Sequence, residues 1–366
     1  MKVIVKDREL NVRTGLASLS APCYAFLTPG TELEVLDEVV KGDNIEENDN
    51  WLKDTAGNYY WSGGVRIPDT SVSNLGQMHP AFDWARSLGI QRIWDSYREA
   101  GKNAVIAVLD TGLDQLNEDV KAGVAEPSII LNGGKTIDDL SISNHGTRCC
   151  ALIGARNKLG WQVGIAPECK LMVGKISNDK ELKDFSFILD GIKWAVEGGA
   201  DVISISFRRL LDASQMNQAQ LKLNGYLAGN NVIIVAACGN TDAEVKSGDL
   251  YPACFDGVVS VGASNLKKEI DPMTVRNSRT IIHAPGIAIE AYNALLEVSP
   301  ASGTSFSTPI VAGIIALGIS AMKERGISWT RDSLIADLYA TASPVSGESK
   351  AKIIDPESFM KKIITK

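Results

Sequence analysis

The chain has 366 residues, 45% apolar and 22% charged, a balance that suits one large globular domain with a small companion. A net charge of −7 and a pI near 5.2 argue against nucleic acid or an anionic membrane as the main partner. The 33 glycines, many beside short apolar runs, suit a fold of many strands and tight turns.

The first residues, Met1 to Asp7, lack the long apolar stretch of a signal peptide, and no apolar segment elsewhere reads as long enough to span a bilayer. The six cysteines (Cys23, Cys149, Cys150, Cys169, Cys238 and Cys254) are then expected as free thiols, and the protein in the cytoplasm. Residues 1–69 read as β throughout. Short alternating stretches such as Val3–Val5 and Glu32–Leu36 are separated by Pro29-Gly30, Gly42-Asp43-Asn44 and Ala56-Gly57-Asn58. Leu10–Gly15, the strand after Pro29-Gly30-Thr31, and Trp51-Leu52-Lys53 with Tyr59-Tyr60-Trp61 together resemble a bacterial SH3-like domain. Its aromatics either fill a core that so short a segment otherwise lacks or line a groove for a peptide or cell-wall-type ligand.

Residues 70–78 read as a linker, and the pattern changes from residue 79 onward. Buried-type strands appear as continuous apolar runs at 104–109, 171–176, 202–205, 232–237 and 258–261, with helical segments between several of them. Asp184–Gly198 places Phe185, Ile188, Ile192 and Ala195 on one helical face, and Gly198-Gly199 ends it. Alternating β and α segments predict an α/β fold, a mostly parallel sheet with helices on both faces.

Functional groups gather outside the carboxyl ends of such strands. Asp110 stands there, after Val105–Leu109, in Asp110-Thr111-Gly112. Alone it reads equally as a cap or Asx-turn residue, and an aspartic-protease site needs a second Asp-Thr-Gly that the chain lacks. The three histidines are His79, His145 and His283. His145, in Asn144-His145-Gly146-Thr147, precedes an apolar run and so stands at a helix N-terminus, with Gly146 leaving room for a substrate. Ser302-Gly303-Thr304-Ser305-Phe306-Ser307-Thr308-Pro309 opens a second apolar helix, with Pro309 expected in its first turn. Ser305 alone is an N-cap candidate; free N–H groups and the dipole there also favour an oxyanion.

These segments, in the order Asp, His, Ser, resemble the three signatures of the subtilisin-like serine proteases. Val235–Asn240 looks like the strand ending in that family's oxyanion asparagine, and Tyr251-Pro252-Ala253 with Val259–Ala263 match its usual continuation. The resemblance covers roughly residues 80–345. It implies a three-layer subtilisin-like domain over 79–366 and a serine endopeptidase with Ser305 as nucleophile, His145 as base, Asp110 as its orienting partner and Asn240 as oxyanion donor. It also implies that Ser206, Phe207, Arg208, Ala237, Cys238 and Gly239 contact a protein or peptide substrate.

Several features depart from the family. Arg208 and Arg209 stand where its substrate strand usually has glycines. They either reach solvent or border the cleft and select acidic substrate side chains. Cys149 and Cys238 fall near the site, as buried thiols or as points where thiol reagents block it. No cofactor is required. A structural calcium ion at Asp119 and Asn157 is what the resemblance implies, with Lys158 and the thin carboxylate supply against it. No family-type prodomain is evident, which fits a regulated intracellular protease. The alternatives are an esterase, and a catalytically silent scaffold working through its SH3-like domain.

Overall fold

The structure is a computed structural model and describes residues 2–6, 8–36, 39–45, 48–66, 82–125, 128–141, 143–157, 162–178, 182–242, 245, 247–292 and 298–365. The chain divides into two compact units, Met1–Asn74 and Leu75–Lys366. The expected linker, 70–78, and His79 lie outside the described residues.

The first unit is all-β and antiparallel. Its strands are β1 (Lys2–Val5), β2 (Leu10–Thr14), β3 (Cys23–Leu27), β4 (Glu32–Glu34), β5 (Val39–Ile45), β6 (Asn48–Lys53), β7 (Asn58–Trp61) and β8 (Val65–Arg66). They form sheets of order β4-β1-β8 and β3-β2-β7-β6-β5. Val3, Val5, Leu10, Val12, Val35, Leu52, Tyr60 and Val65 meet in a common core, which is how so short a segment removes apolar area from water. The aromatics divide between core and surface. Trp51 and Tyr60 are buried, with Trp51 Nε1 donating to Asp43 O at 2.9 Å and the Tyr60 hydroxyl to Asp54 Oδ2 at 2.7 Å. Trp61 is half-buried, while Tyr24 and Phe26 stand exposed on the edge strand β3.

The second unit is a three-layer α/β fold. Its strands are β9 (Val105–Asp110), β10 (Ile129–Ile130), β11 (Lys170–Lys175), β12 (Val202–Ile205), β13 (Ile233–Ala237), β14 (Val258–Ser264), β15 (Ile282–Pro285), β16 (Ile289–Tyr292), β17 (Val298–Ala301), β18 (Ser343–Pro344) and β19 (Lys352–Ile353). The main sheet runs β10-β11-β9-β12-β13-β14-β15-β19-β18, parallel except for the β18–β19 pair, and β16–β17 is a separate antiparallel hairpin. On one face, helices Ser186–Glu197 and Ala213–Leu227 bury Ile188, Ile192, Ala195, Ala219 and Leu223 against Ala107, Leu109, Ile203 and Ile234. On the other lie His145–Gly154 and Thr304–Glu324, packed against each other and the sheet.

Two expectations are corrected here. Thr304–Glu324 is long and apolar enough to cross a membrane by length and composition; it is instead a buried core helix, and Gly318 lets Phe359 and Ile363 of the C-terminal helix close on it. Pro309 falls in its second turn, because the helix begins at Thr304. A residue there with an N–H would donate to Ser305 O four positions back. That carbonyl instead accepts Ser206 Oγ at 2.9 Å and the Cys149 thiol at 3.5 Å.

Candidate active site

Strand β9 lies between β11 and β12, and the chain leaves it on one side for β10 and β11 before crossing to the other for β12. Its carboxyl end is therefore a switch point, where a crevice opens between diverging connections. Asp110 ends that strand, 1% exposed. Its Oδ1 accepts the Thr111 N–H at 2.8 Å and lies 2.7 Å from His145 Nδ1. That contact suits an imidazole protonated on Nδ1, with Nε2 as its unprotonated nitrogen.

Local chemistry explains why the helix starts at His145. Asn144 takes a left-handed turn (φ 46°), and the free N–H groups of the first helical turn find side-chain acceptors. His145 N donates to Ser141 Oγ at 3.1 Å, Gly146 N to Thr111 Oγ1 at 2.8 Å, and Thr147 N to Asp139 Oδ2 at 2.9 Å. The Asp139 carboxylate at this positive end also suits the helix dipole. Gly146 does not make room for substrate, as its position beside His145 suggested. A Cβ there would lie 2.4 Å from Gly112 O, so the glycine lets the His and Asp segments touch through their backbones.

Ser305 is the second residue of its helix, after Gly303 at φ 138°. Its Oγ donates weakly to Ser206 O at 3.3 Å, and among the described residues no hydrogen bond joins it to His145. Asn240 follows β13, and its Oδ1 accepts the Thr304 N–H at 3.0 Å. That bond decides which end of the amide faces away from the helix. Nδ2 remains as a donor, 2.9 Å from where a Cβ on Gly303 would stand.

These groups line a cleft of about 620 Å³ with Ser206, Phe207, Arg208, Ala237, Gly239, Arg148, Asp242 and residues 300–302. Phe207 and Phe306 flank the His145 ring, at centroid distances of 6.1 and 5.6 Å. Burial disfavours the imidazolium, but the Asp110 carboxylate outweighs it and holds the His145 pKa well above its ordinary 6.5. Arg208 pairs with Asp242 across the cleft wall, its Cδ passing 2.7 Å from where a Cβ of Gly239 would be. Arg209 turns away and donates to Leu182 O and Lys183 O, both at 2.8 Å. Cys149 lies 3.9 Å from His145 Nδ1. It is fully buried, and burial pushes its pKa up to about 12, so the thiol stays protonated. Cys238, expected at the substrate, is buried and faces Gly239 O and Val275 O instead. All six cysteines are free.

Sequence reasoning missed several supports. Asp139 and Ser141, six and four places before His145, carry a helix-start signal. Ser206, expected as a substrate contact, also donates from its hydroxyl to the Ser305 carbonyl left free by Pro309. Arg148 gave no signal: its guanidinium, 8% exposed in residue terms, ties the catalytic helix to the β16–β17 hairpin through Ala291 O, Ser299 O and Ser299 Oγ.

The expected calcium residues fare differently. Asp119 is buried and its Oδ2 accepts the Tyr292 hydroxyl, while Tyr292 N donates to Gln162 Oε1 at 3.0 Å. Asn157 is left-handed at φ 54°, and 158–161 lie outside the described residues. The backbone N–H of Arg156 donates to Asp119 O at 3.0 Å, and its guanidinium donates from Nη2 to Cys169 O at 3.3 Å. Among the described residues Asp119 offers one carboxylate, already engaged by a hydroxyl, where calcium takes six to eight oxygens.

A buried carboxylate bonded to an imidazole, beside a hydroxyl on a helix N-terminus, defines a serine hydrolase on an α/β fold. The subtilase family pattern matches residues 101–355. An intracellular serine protease of Paenibacillus polymyxa is 30% identical over 259 residues, 68% of this chain and 74% of its own. The major intracellular serine protease of Bacillus subtilis (strain 168) is 30% identical over 222 residues, 59% of this chain and 68% of its own. The solved structure of the prenylagaramide maturation protease PagA has a TM-score of 0.62 at 25% identity, covering 75% of this chain and 98% of its own. The chain belongs to the subtilase family, with its subtilisin-like α/β fold, and is a serine endopeptidase.

Proposed function

We propose that Ser305, His145, Asp110 and Asn240 carry out peptide hydrolysis through an acyl-enzyme. The observation that carries this reading is the 2.7 Å contact between His145 Nδ1 and the buried Asp110 carboxylate, beside a serine on a helix N-terminus. On binding substrate, Ser305 Oγ turns from its weak bond to Ser206 O toward His145 Nε2. It gives up its proton there as the Oγ–carbon bond forms. The oxyanion is held by the Asn240 Nδ2–H and the Ser305 N–H. His145 then protonates the leaving amine as the carbon–nitrogen bond breaks, and water repeats the steps to free the acid. Asp110 keeps the tautomer and stabilises the imidazolium throughout. The test is hydrolysis of a peptide library by the full chain, with products located by mass. Cleavage that vanishes in Ser305→Ala supports the roles. Cleavage unchanged in that variant, or none in the parent protein, refutes them, and the second result favours a silent scaffold.

Arg208 is the residue we assign to substrate choice. It lines the cleft, and its partner Asp242 shares that wall, so an acidic substrate side chain competes with Asp242 for one guanidinium. The names of the two bacillary relatives support an intracellular site of action. The first unit is read as an SH3-like module that holds a peptide or cell-wall-type ligand. Its antiparallel sheets and its half-buried Trp61 beside a surface hollow support that reading.

A further inference from the structure

The first unit carries its charges unevenly. Over residues 1–66 there are seven Lys or Arg against eleven Asp or Glu, so the segment is acidic as a whole. Yet a hollow of about 450 Å³ on this unit is bordered by three of the seven cations, Lys6, Arg8 and Arg13, with one carboxylate, Glu9. Trp61 forms its aromatic wall, and Leu10 and the buried Trp51 also line it. The ring of Trp61 is fixed there: its Nε1 donates to Asn48 O at 3.1 Å, and a Cβ on Gly63 would lie 2.2 Å from the ring, so glycine is what lets the chain fold back over it.

Lys6 and Arg13 are held in place by backbone carbonyls. Lys6 Nζ donates to Gly63 O at 2.8 Å, which occupies one of its three protons. Arg13 spends Nη1 on Leu19 O and Ala21 O, at 2.7 and 2.6 Å. Among the described residues, backbone carbonyls thus hold both side chains at the rim, and neither is paired with a carboxylate there. A hollow of this size lies within the range that holds a few residues of a ligand.

We propose that this hollow binds the free carboxylate end of a peptide, with the last side chain, apolar or aromatic, against Trp61. The cations take the carboxylate through charge-assisted hydrogen bonds, and the Trp61 indole takes the side chain. Asn11 and Glu9 supply acceptors for the peptide N–H groups. The acidic remainder of the unit decides the class: it tolerates one carboxylate in the hollow and repels a polyanion that would have to lie along the surface. The proposal rests on the ligand-binding reading of the first unit and not on the activity of Ser305.

The test uses the full chain as Ser305→Ala, so that no probe is consumed. N-acetyl-Ala-Ala-Leu is titrated as the free acid and as its C-terminal amide, with calorimetric detection at low and high salt. The expected result is binding of the acid, weakened by salt, and at least about tenfold weaker binding of the amide. Lys6→Gln and Arg8→Gln, both at exposed positions, should each weaken the acid about threefold to tenfold, and Trp61→Phe should weaken both forms. Equal binding of acid and amide, no binding of either, or acid binding indifferent to all three substitutions would each overturn the proposal. The last result would place the peptide elsewhere in the chain.

Discussion

Replacing Asp242 by Asn should make the enzyme more selective for acidic peptides, although Asp242 is none of the four residues assigned to the chemistry. The side chains of Arg208 and Asp242 are 30% and 48% exposed, so water screens their attraction. The pair therefore belongs with exposed ion pairs, worth about 0.5–1 kcal/mol. A substrate carboxylate that takes Arg208 forfeits that amount in displacing Asp242. With Asn at 242 the penalty disappears, and kcat/KM for acidic peptides should rise about 2–5-fold while neutral peptides stay unchanged. Arg208→Gly should act in the opposite direction. A hydrogen bond to a charged group is worth about 1.5–3 kcal/mol, and the Asp242 competition offsets part of it, so the preference should fall by about tenfold. The assay compares kcat/KM for peptide pairs that differ by Glu against Gln at one position, scanned along the sequence at low and high salt. If the Glu:Gln ratio is the same in the parent protein, Asp242→Asn and Arg208→Gly at every position, the reasoning about this wall of the cleft is wrong.

Other substitutions probe the remaining parts. Asn240→Ala should lower kcat about 10²–10³-fold with little change in KM, a magnitude carried over from subtilisin itself rather than worked from these distances. The unprotonated His145 is the active form and Asp110 raises its pKa, so kcat/KM should climb with pH through a midpoint above 6.5. Asp110→Asn should move that midpoint to lower pH and reduce kcat by about 10⁴; a midpoint that stays put would show that Asp110 does not set the imidazole's charge. Tyr292→Phe leaves a buried Asp119 oxygen without its hydroxyl donor, at a cost of about 1–3 kcal/mol. Calorimetry should then show Tm lower by roughly 2–10 °C with kcat unchanged.

The catalytic arrangement was legible because each of its residues sits beside a local signal. Asp110 closes a continuous apolar run, and His145 and Ser305 precede long apolar helices, so strand end and helix starts are readable from hydrophobic pattern alone. The five buried strands and the helix ending at Gly198-Gly199 were readable for the same reason. What escaped was decided by contacts between distant segments. That Gly146 serves backbone contact with Gly112, rather than substrate access, depends on the approach of two loops 34 positions apart in the chain. The pairing of Arg208 with Asp242, and the turn of Arg209 toward Leu182, depend on how loops meet at the cleft. Cys238 was placed at the substrate because it adjoins Gly239 and Asn240, but alternation along the extended chain turns it to the opposite face. Strands such as β10, β18 and β19 have two residues each, too few to show a period.

The most direct measurement is the site of covalent labelling by a fluorophosphonate, read by mass spectrometry on the folded full chain and on Ser305→Ala. The reagent reacts with a serine only when a base removes its proton and donors hold the developing oxyanion. The expected result is one adduct, on Ser305, absent from the variant and formed faster as pH rises through the His145 midpoint. An unlabelled Ser305 in the folded protein, or an adduct on another residue that persists in Ser305→Ala, would contradict the assignment of Asp110, His145 and Ser305 as one catalytic unit.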